Sequence, residues 1–372
     1  MQKTQIVCVL TIILIIIYYF FHSNKEYYKL HRINTDGMNE VLILETTLHG
    51  KFYLFMLDTG YAGPPVLSRS YLCTSKPFLQ TDIATIYKKV IHDMQHITID
   101  DENRAVNEYI NYSQCLPYTS GCTMRLMGIG SIQEQQADML MCPMLKIKNK
   151  WNMMSAPKKM THTHADVFVT NSLRSSVHII TCDFLMHHAP CLINMKNEEL
   201  RTNLSISEYL YCSSHYNMFD TQLIGGSFVV PIEIEGQLFR FTVDTGAPGP
   251  ISIGVNTAKK LKTCNSHAEL KKIHQKGVNG ETVCSQLVEL DVIFCGENFK
   301  SAAFLNDLPT DHVDGYVGLG FLRGYDILLS TKKIGFRKNY LEIRNFDYYV
   351  HLSESGICQN APSCLKKEKN KE

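Results

Sequence analysis

The chain has 372 residues, 45% hydrophobic and 20% charged, with a formal net charge of +1. That length exceeds one ordinary domain and predicts two lobes with accessories. A charge balance so close to zero leaves no basic footprint, and no zinc-finger or phosphate-loop spacing occurs, which argues against nucleic acid as a partner.

The first element is apolar. Ile6 to Phe21 reads IVCVLTIILIIIYYFF, preceded by Lys3 and followed by His22, Lys25 and Lys29. Its length approaches that of a bilayer crossing, and its tyrosines and flanking charges suit the interface, which predicts an N-terminal transmembrane helix. A cleaved signal peptide is the alternative, but no small-x-small cleavage pattern follows the run, so an uncleaved signal-anchor is expected. Lys25, Lys29 and Arg32 outnumber Lys3 and by themselves favour a cytosolic body. The cysteines argue otherwise. Of thirteen, Cys8 lies in the apolar run, and the remaining twelve show no C-x-x-C metal spacing, which is compatible with disulfides in an oxidising compartment. Asn111-Tyr112-Ser113 and Asn203-Leu204-Ser205 are glycosylation acceptors there. The expected location is a single-pass membrane protein with a lumenal or extracellular body.

After a polar linker, His22 to Asn39, the chain reads as a strand, a tight turn at Gly50, a second strand and then LDTGYAGPPVLS, Leu57 to Ser68. Ser68 to Cys73 predicts a short helix, and Ile83 to Tyr112 is mixed, charged and without a clear pattern. Met127-Gly128-Ile129-Gly130-Ser131 reads as a hairpin tip whose glycines supply positive φ. Strands are predicted at Ala137 to Ile147 and Ala165 to Thr170, then Ile179 to Leu185 and Leu192 to Met195 close the unit. Leu204 to Phe219 connects it to a second copy.

That copy repeats the plan. Phe228 to Glu235, Gly236 and Gln237 to Val243 lead into VDTGAPGPISIG, Val243 to Gly254, with the glycine and Asp-Thr-Gly at the spacing of the first hairpin. A helical stretch at Val255 to Leu261, a strand at Gln286 to Phe294, Asp314 to Leu322 and strands at Asp326 to Leu329 and Ile334 to Phe336 follow. Phe184-Leu185 and Phe321-Leu322 match as unit endings. The longer first unit places its excess on the surface. Cys358 and Cys364 could close a small loop, and Lys366 to Glu372 is a charged tail expected to be disordered.

The paired Asp-Thr-Gly loops, each followed later by an apolar segment, resemble the aspartic proteases of the pepsin and retropepsin kind. Val317-Gly318-Leu319-Gly320-Phe321-Leu322 fits the family's closing segment, and Ile180-Thr181-Cys182-Asp183-Phe184-Leu185 fits it with Thr181 in place of glycine. The likeness covers roughly Val41 to Arg337. It implies an all-β fold with a few short helices, two related barrel-like lobes, and a membrane-anchored endopeptidase acting on an extended peptide or protein. By resemblance, Asp58 and Asp244 are the catalytic pair, Thr59 and Thr245 cross-brace the loops, Gly60 and Gly246 allow close approach, and Met127, Gly128, Ile129 and Gly130 belong to a flap. Two close carboxyls cannot both ionise readily, so one serves as base toward water while its protonated partner hydrogen-bonds the scissile carbonyl. The aspartic proteases are themselves the general example of this behaviour. No cofactor or metal is required.

Three departures fall in the first unit: Tyr61 where Ala247 stands in the second, Thr181 for glycine, and Met127 where the pepsin flap has tyrosine. They motivate the alternative of an inactive binding or envelope-type membrane protein on the same fold. His162-Thr163-His164 and His187-His188 lack the further ligands of a metal site and read as solvated loops. No local signature supports a Cys-His nucleophile. Asp183 and Asp314 read as structural, and Trp151 as core. The expected organisation is an anchor and linker at 1–32, an N-terminal lobe at 33–210, a C-terminal lobe at 211–350 and a tail at 351–372.

Overall fold

Each half of the chain is built on the same hairpin because each alternates apolar and polar residues up to a tight turn. In the computed structural model Asn39–Leu48 pairs with Lys51–Asp58, Ile43 opposite Met56. Ser227–Ile234 pairs with Gln237–Val243 in the same register, Val229 opposite Thr242. Glu235 and Gly236, with φ of 50° and 77°, form the two-residue turn of the second hairpin, matching the twist of its strands. The structure describes residues 26–354 apart from 36–38, 49–50, 75–81, 95, 114–115, 129–130, 143–146, 149–164, 171–176, 266–270, 277–281 and 307–311.

Among the described residues the strands form two sheets, one of fourteen strands and one of eight. A seven-strand order recurs in both. In the first sheet the hairpin is followed by His178–Thr181, Val66–Ser68, Ala165–Thr170, Ser131–Cys142 and Leu116–Gly128. In the second it is followed by Gly315–Val317, Ile251–Gly254, Glu297–Asn306, Thr282–Phe294 and Lys271–Lys276. The strand entering each Asp-Thr-Gly loop runs parallel to the closing strand, with Asp58 beside Thr181 and Val243 beside Val317. The strand leaving the loop pairs with the other side of that same closing strand. Each loop is therefore pinned between two strands of its own sheet.

The halves share an antiparallel layer. Cys191–Asn194 pairs with Tyr325–Leu329, Ile193 opposite Ile327, and Glu199–Thr202 and Lys333–Lys338 flank this central pair. Ile193, Ile327, Leu328 and Leu329 are buried, each such side chain contributing about 1.5–3 kcal/mol. Polar ties cross the same layer. Asp326 accepts from Met195 N–H at 3.0 Å and pairs with Arg337 at 2.8 Å. Glu40 pairs with Arg323 at 3.1 Å and Arg344 at 3.0 Å while all but shielded from water. Removing one partner of such a cluster costs about 3–5 kcal/mol because a buried charge is left bare.

Several elements differ from expectation. The stretch read as a linker contains a strand, Glu26–Thr35, whose Tyr28, Leu30 and Ile33 are buried and which joins Asn39–Leu48 to Glu199–Thr202. The region without a clear pattern holds two helices, Ile83–Met94 and Ile99–Ser113. The first buries Ile86, Tyr87, Val90 and Met94 along one face, a spacing of 3.6 residues. The interlobe connection carries the helix Ile206–Ser213, opened by a capping box of Ser205 and Glu208. Near the C-terminus the helix Phe346–Glu354 packs Tyr349 into the second sheet and runs into the stretch expected as tail.

Among the described residues no helix is long and apolar enough to cross a membrane. The apolar run Ile6 to Phe21, Trp151, His162 to His164, Cys358, Cys364 and the tail beyond residue 354 lie outside them. Six described cysteines, Cys73, Cys182, Cys191, Cys212, Cys264 and Cys295, form none of the expected disulfides.

Candidate active site

The two Asp-Thr-Gly loops meet face to face between the sheets. Each aspartate is held by the amides that follow it. Asp58 Oδ1 accepts from Gly60 N–H at 2.9 Å and Tyr61 N–H at 3.1 Å. Asp244 Oδ1 accepts from Gly246 N–H at 2.9 Å and Ala247 N–H at 3.0 Å. Short polar side chains close such local turns readily, which explains why an abrupt Asp ends each apolar strand.

The threonines tie one loop to the other. Thr59 donates its hydroxyl to the Val243 carbonyl at 2.8 Å and accepts from Thr245 N–H at 3.0 Å. Thr245 reciprocates, donating to the Leu57 carbonyl at 2.8 Å and accepting from Thr59 N–H at 3.1 Å. Both threonines are buried, so four backbone groups that would otherwise be orphaned are satisfied. The network is symmetric, and it fixes each loop by the backbone of its partner.

Gly60 and Gly246 occupy the closest approach. A Cβ on Gly60 would come 2.5 Å from Asp244 Oδ1, and one on Gly246 would come 2.5 Å from Asp58 Cγ. Each carboxyl lies against the opposite glycine, where any side chain would expel it. The two carboxyls face each other closely enough that the ionisation of each bears on the other. Burial pushes Asp58 above the ordinary carboxylate range, opposed by the amide hydrogen bond from Tyr61, the side chain of Asp244 and the Gly60 amide. Asp244 is pushed well above that range by burial and then by the charge of Asp58. Both residues are half-buried, so solvent still reaches the pair. One proton shared between two carboxyls provides a base and an acid side by side.

The closing segments bear on the departures in the first half. Gly318 caps the short helix Leu319–Leu322 with φ of −94° and ψ of 179°, and a Cβ there would lie 2.7 Å from the Ala247 carbonyl oxygen. Thr181 caps Cys182–His187 with nearly the same backbone, φ of −104° and ψ of 169°. Its buried hydroxyl accepts from Phe184 N–H at 3.4 Å, the work of an N-cap. Asp58 is held by the amides at the positions that hold Asp244, at matching distances, so Thr181 does not displace it. The Tyr61 ring folds back over its own loop, where a Cβ on Gly63 would meet its hydroxyl at 2.7 Å. The Tyr61 carbonyl accepts from Cys182 N–H at 3.0 Å.

The hairpin residues Met127 and Gly128 pair with Ile132 and Ser131 at the end of Leu116–Gly128 and Ser131–Cys142, while Ile129 and Gly130 lie outside the described residues. Asp314 accepts from Arg240 N–H and the Thr257 hydroxyl, and Asp183 lies 3.7 Å from His187. Among the described residues no group of three or more His, Cys, Asp or Glu could hold a metal ion. A residue that the sequence does not flag is Ser227, whose hydroxyl donates to the Gly60 carbonyl at 2.8 Å. Its one signal is a hydroxyl at the head of an otherwise apolar strand, FVVPI, in the place that Val41 takes in the first hairpin.

No family model matches the chain, and no curated protein sequence matches it. Many solved structures match in part, two of which are the following. A retropepsin-like aspartic protease from Rickettsia conorii is 18% identical, covering 32% of this chain and 93% of its own, with a TM-score of 0.26. The EIAV protease complexed with the inhibitor HBY-793 is 18% identical, covering 26% of this chain and 86% of its own, with a TM-score of 0.21. What the two loops can do follows from their own geometry.

Proposed function

We propose that the chain is an aspartic endopeptidase in which Asp58 and Asp244 activate water against a peptide bond. The observation that carries this reading is the facing pair of carboxyls on cross-braced loops, half-buried and each backed by the opposite glycine. Two buried like charges are costly, and their retention in this geometry makes sense where one proton is to be shared and used. The pair needs no covalent intermediate. Its base takes a proton from water as oxygen attacks the carbonyl carbon, and its acid donates to the carbonyl oxygen. The substrate is then a peptide extended between two lobes, 33–210 and 211–350, with Met127 to Gly130 as a cover that excludes water.

Cleavage of a mixed peptide library between acidic and neutral pH tests the reading. Asp58→Asn and Asp244→Asn should each lower turnover by about 10²–10⁴-fold, the usual share of general acid–base catalysis. Cleavage that survives both substitutions overturns the assignment. Membrane anchoring through Ile6 to Phe21 and a lumenal body belong to the same proposal and rest on the sequence. Full-length chain should resist carbonate extraction from membranes, and a glycosidase should shift its mobility if exposed Asn111 carries a glycan.

A further inference from the structure

The amides and threonines brace the two loops alike, and the first loop has a further side-chain tie at the Gly60 carbonyl. Ser227 donates to the oxygen of the Gly60–Tyr61 peptide at 2.8 Å, and the N–H of that same peptide donates to Asp58 Oδ1 at 3.1 Å. One planar amide thus accepts at one end and donates at the other. A hydrogen bond to an amide oxygen draws electron density toward it and makes the N–H a stronger donor, by about 10–30% per bond. The matching amide of the second loop, Gly246–Ala247, donates to Asp244 at 3.0 Å. The identical registers of the two hairpins place Val41 where Ser227 stands, and valine has no hydroxyl to offer the Gly246 carbonyl.

Ser227 is also firmly seated. It is 5% exposed, and beside it Gly226, at φ of 84°, lies against Ala62, whose Cβ is 2.6 Å from where a Gly226 Cβ would be. The Cys182 thiol lies against the backbone of the next residue, Phe228, while Cys182 N–H holds the Tyr61 carbonyl. The turn at Gly225 and Gly226 that leads into the second hairpin is therefore built onto the first loop.

We propose that Ser227 is a positioning residue that breaks the symmetry of the carboxyl pair, so that Asp58 keeps the charge and Asp244 keeps the proton. The consequence for catalysis rests on the peptidase reading: Asp58 is then the base toward water and Asp244 the donor to the scissile carbonyl. Other titratable groups around the pair are Tyr61 on the first loop, Cys182 and Asp183 on the following helix, and Tyr316 on the second closing strand. Burial pushes the Cys182 thiol up to about 12 and raises the Tyr316 phenol, so both stay neutral while the carboxyls titrate.

The test is a carboxyl-carbon NMR titration of the full-length chain labelled at aspartate, with the Asp58 signal assigned by its loss in Asp58→Asn. In Ser227→Ala the lower step, on Asp58, should rise by roughly 0.2–0.6 pH unit, which is 10–30% of a charge-assisted hydrogen bond. Ser227→Thr, which keeps the hydroxyl, should restore it. Should Ser227→Ala fail to fold, Ser227→Cys offers a weaker donor of similar size and should raise the same step. An unmoved Asp58 titration, or a shift that threonine does not reverse, overturns the proposal. A titration that moves as expected in a chain that cleaves no peptide leaves the symmetry-breaking role intact and removes the peptidase reading instead.

Discussion

Two loops of nearly the same sequence hold their aspartates in the same way and are backed differently. Behind Asp244 the backbone of Gly318 runs so close to the Ala247 carbonyl that no side chain fits. Behind Asp58 the corresponding Thr181 is buried, and its hydroxyl caps the next helix. At the foot of each closing strand the contrast repeats, with His178 beside Phe55 and Gly315 beside Phe241. The first half has filled with side chains the space that the second half keeps for backbone. What the site demands is thus narrower than a motif suggests: the amides that grip Oδ1 and the crossed threonines are common to both halves, while the residue behind the loop is free to vary with its packing.

Exchanging the closing residues should break this equivalence most sharply. Gly318→Thr places a side chain against the Ala247 and Gly249 carbonyls, and overpacking of a fixed backbone costs about 3 kcal/mol. Thr181→Gly removes a cap and adds chain freedom, costing about 1 kcal/mol. Denaturant midpoints of the two variants measure the difference; equal losses would mean that the two loops are not packed as described.

The repeat itself is legible in the chain because an abrupt Asp-Thr-Gly after an apolar strand, at a fixed distance from a turn glycine, is a strong local signal. The mainly β architecture follows from it, and the recurring strand order shows how far the duplication reaches. Local signals fail where burial is decided by distant partners. Lys29, His31 and Arg32 make Glu26–Thr35 look like a linker, although Tyr28, Leu30 and Ile33 point inward between strands far along the chain. The helix Ile83–Met94 has a helical apolar spacing, but its Ile, Thr and Val content dilutes the signal. The Ser227 contact joins residues 167 positions apart, and its one local trace is a hydroxyl at the head of an apolar strand.

The His178 and Gly315 contrast predicts a pH dependence peculiar to the first half. His178 is fully buried, with Nδ1 accepting from Ser68 N–H at 3.1 Å, which leaves the proton on Nε2. Among the described residues Nε2 has no hydrogen-bond partner, and the rings of Tyr53, Phe55 and Tyr71 surround it. Burial lowers its pKa to about 3. Between about 6.5, the ordinary value for histidine, and about 3, the unfolded chain binds a proton that the folded chain refuses, so stability is full above that window and falls with pH inside it. The contribution has a limiting slope of about 1.4 kcal/mol per pH unit. His178→Gln, which keeps an acceptor for Ser68, should flatten the difference in melting temperature between pH 7 and pH 5; an unchanged difference would show that the imidazole is hydrated in the folded chain.

The smallest expected effect compares the carboxyls themselves. A carboxyl whose folded pKa is raised destabilises the fold once pH exceeds its unfolded value, because the unfolded chain ionises first. With the proton kept by Asp244, as the Ser227 tie on the Asp58 side implies, that carboxyl carries the larger penalty at neutral pH. Asp244→Asn should therefore raise the melting temperature at pH 7 by more than Asp58→Asn does, and the gain should close as pH falls below the ordinary carboxylate value near 3.8. On the proposed peptidase reading neither amide can activate water, so stability and turnover should move in opposite directions. Equal gains from both substitutions would mean that the proton is shared evenly, and the asymmetry between the two loops would then be one of packing alone.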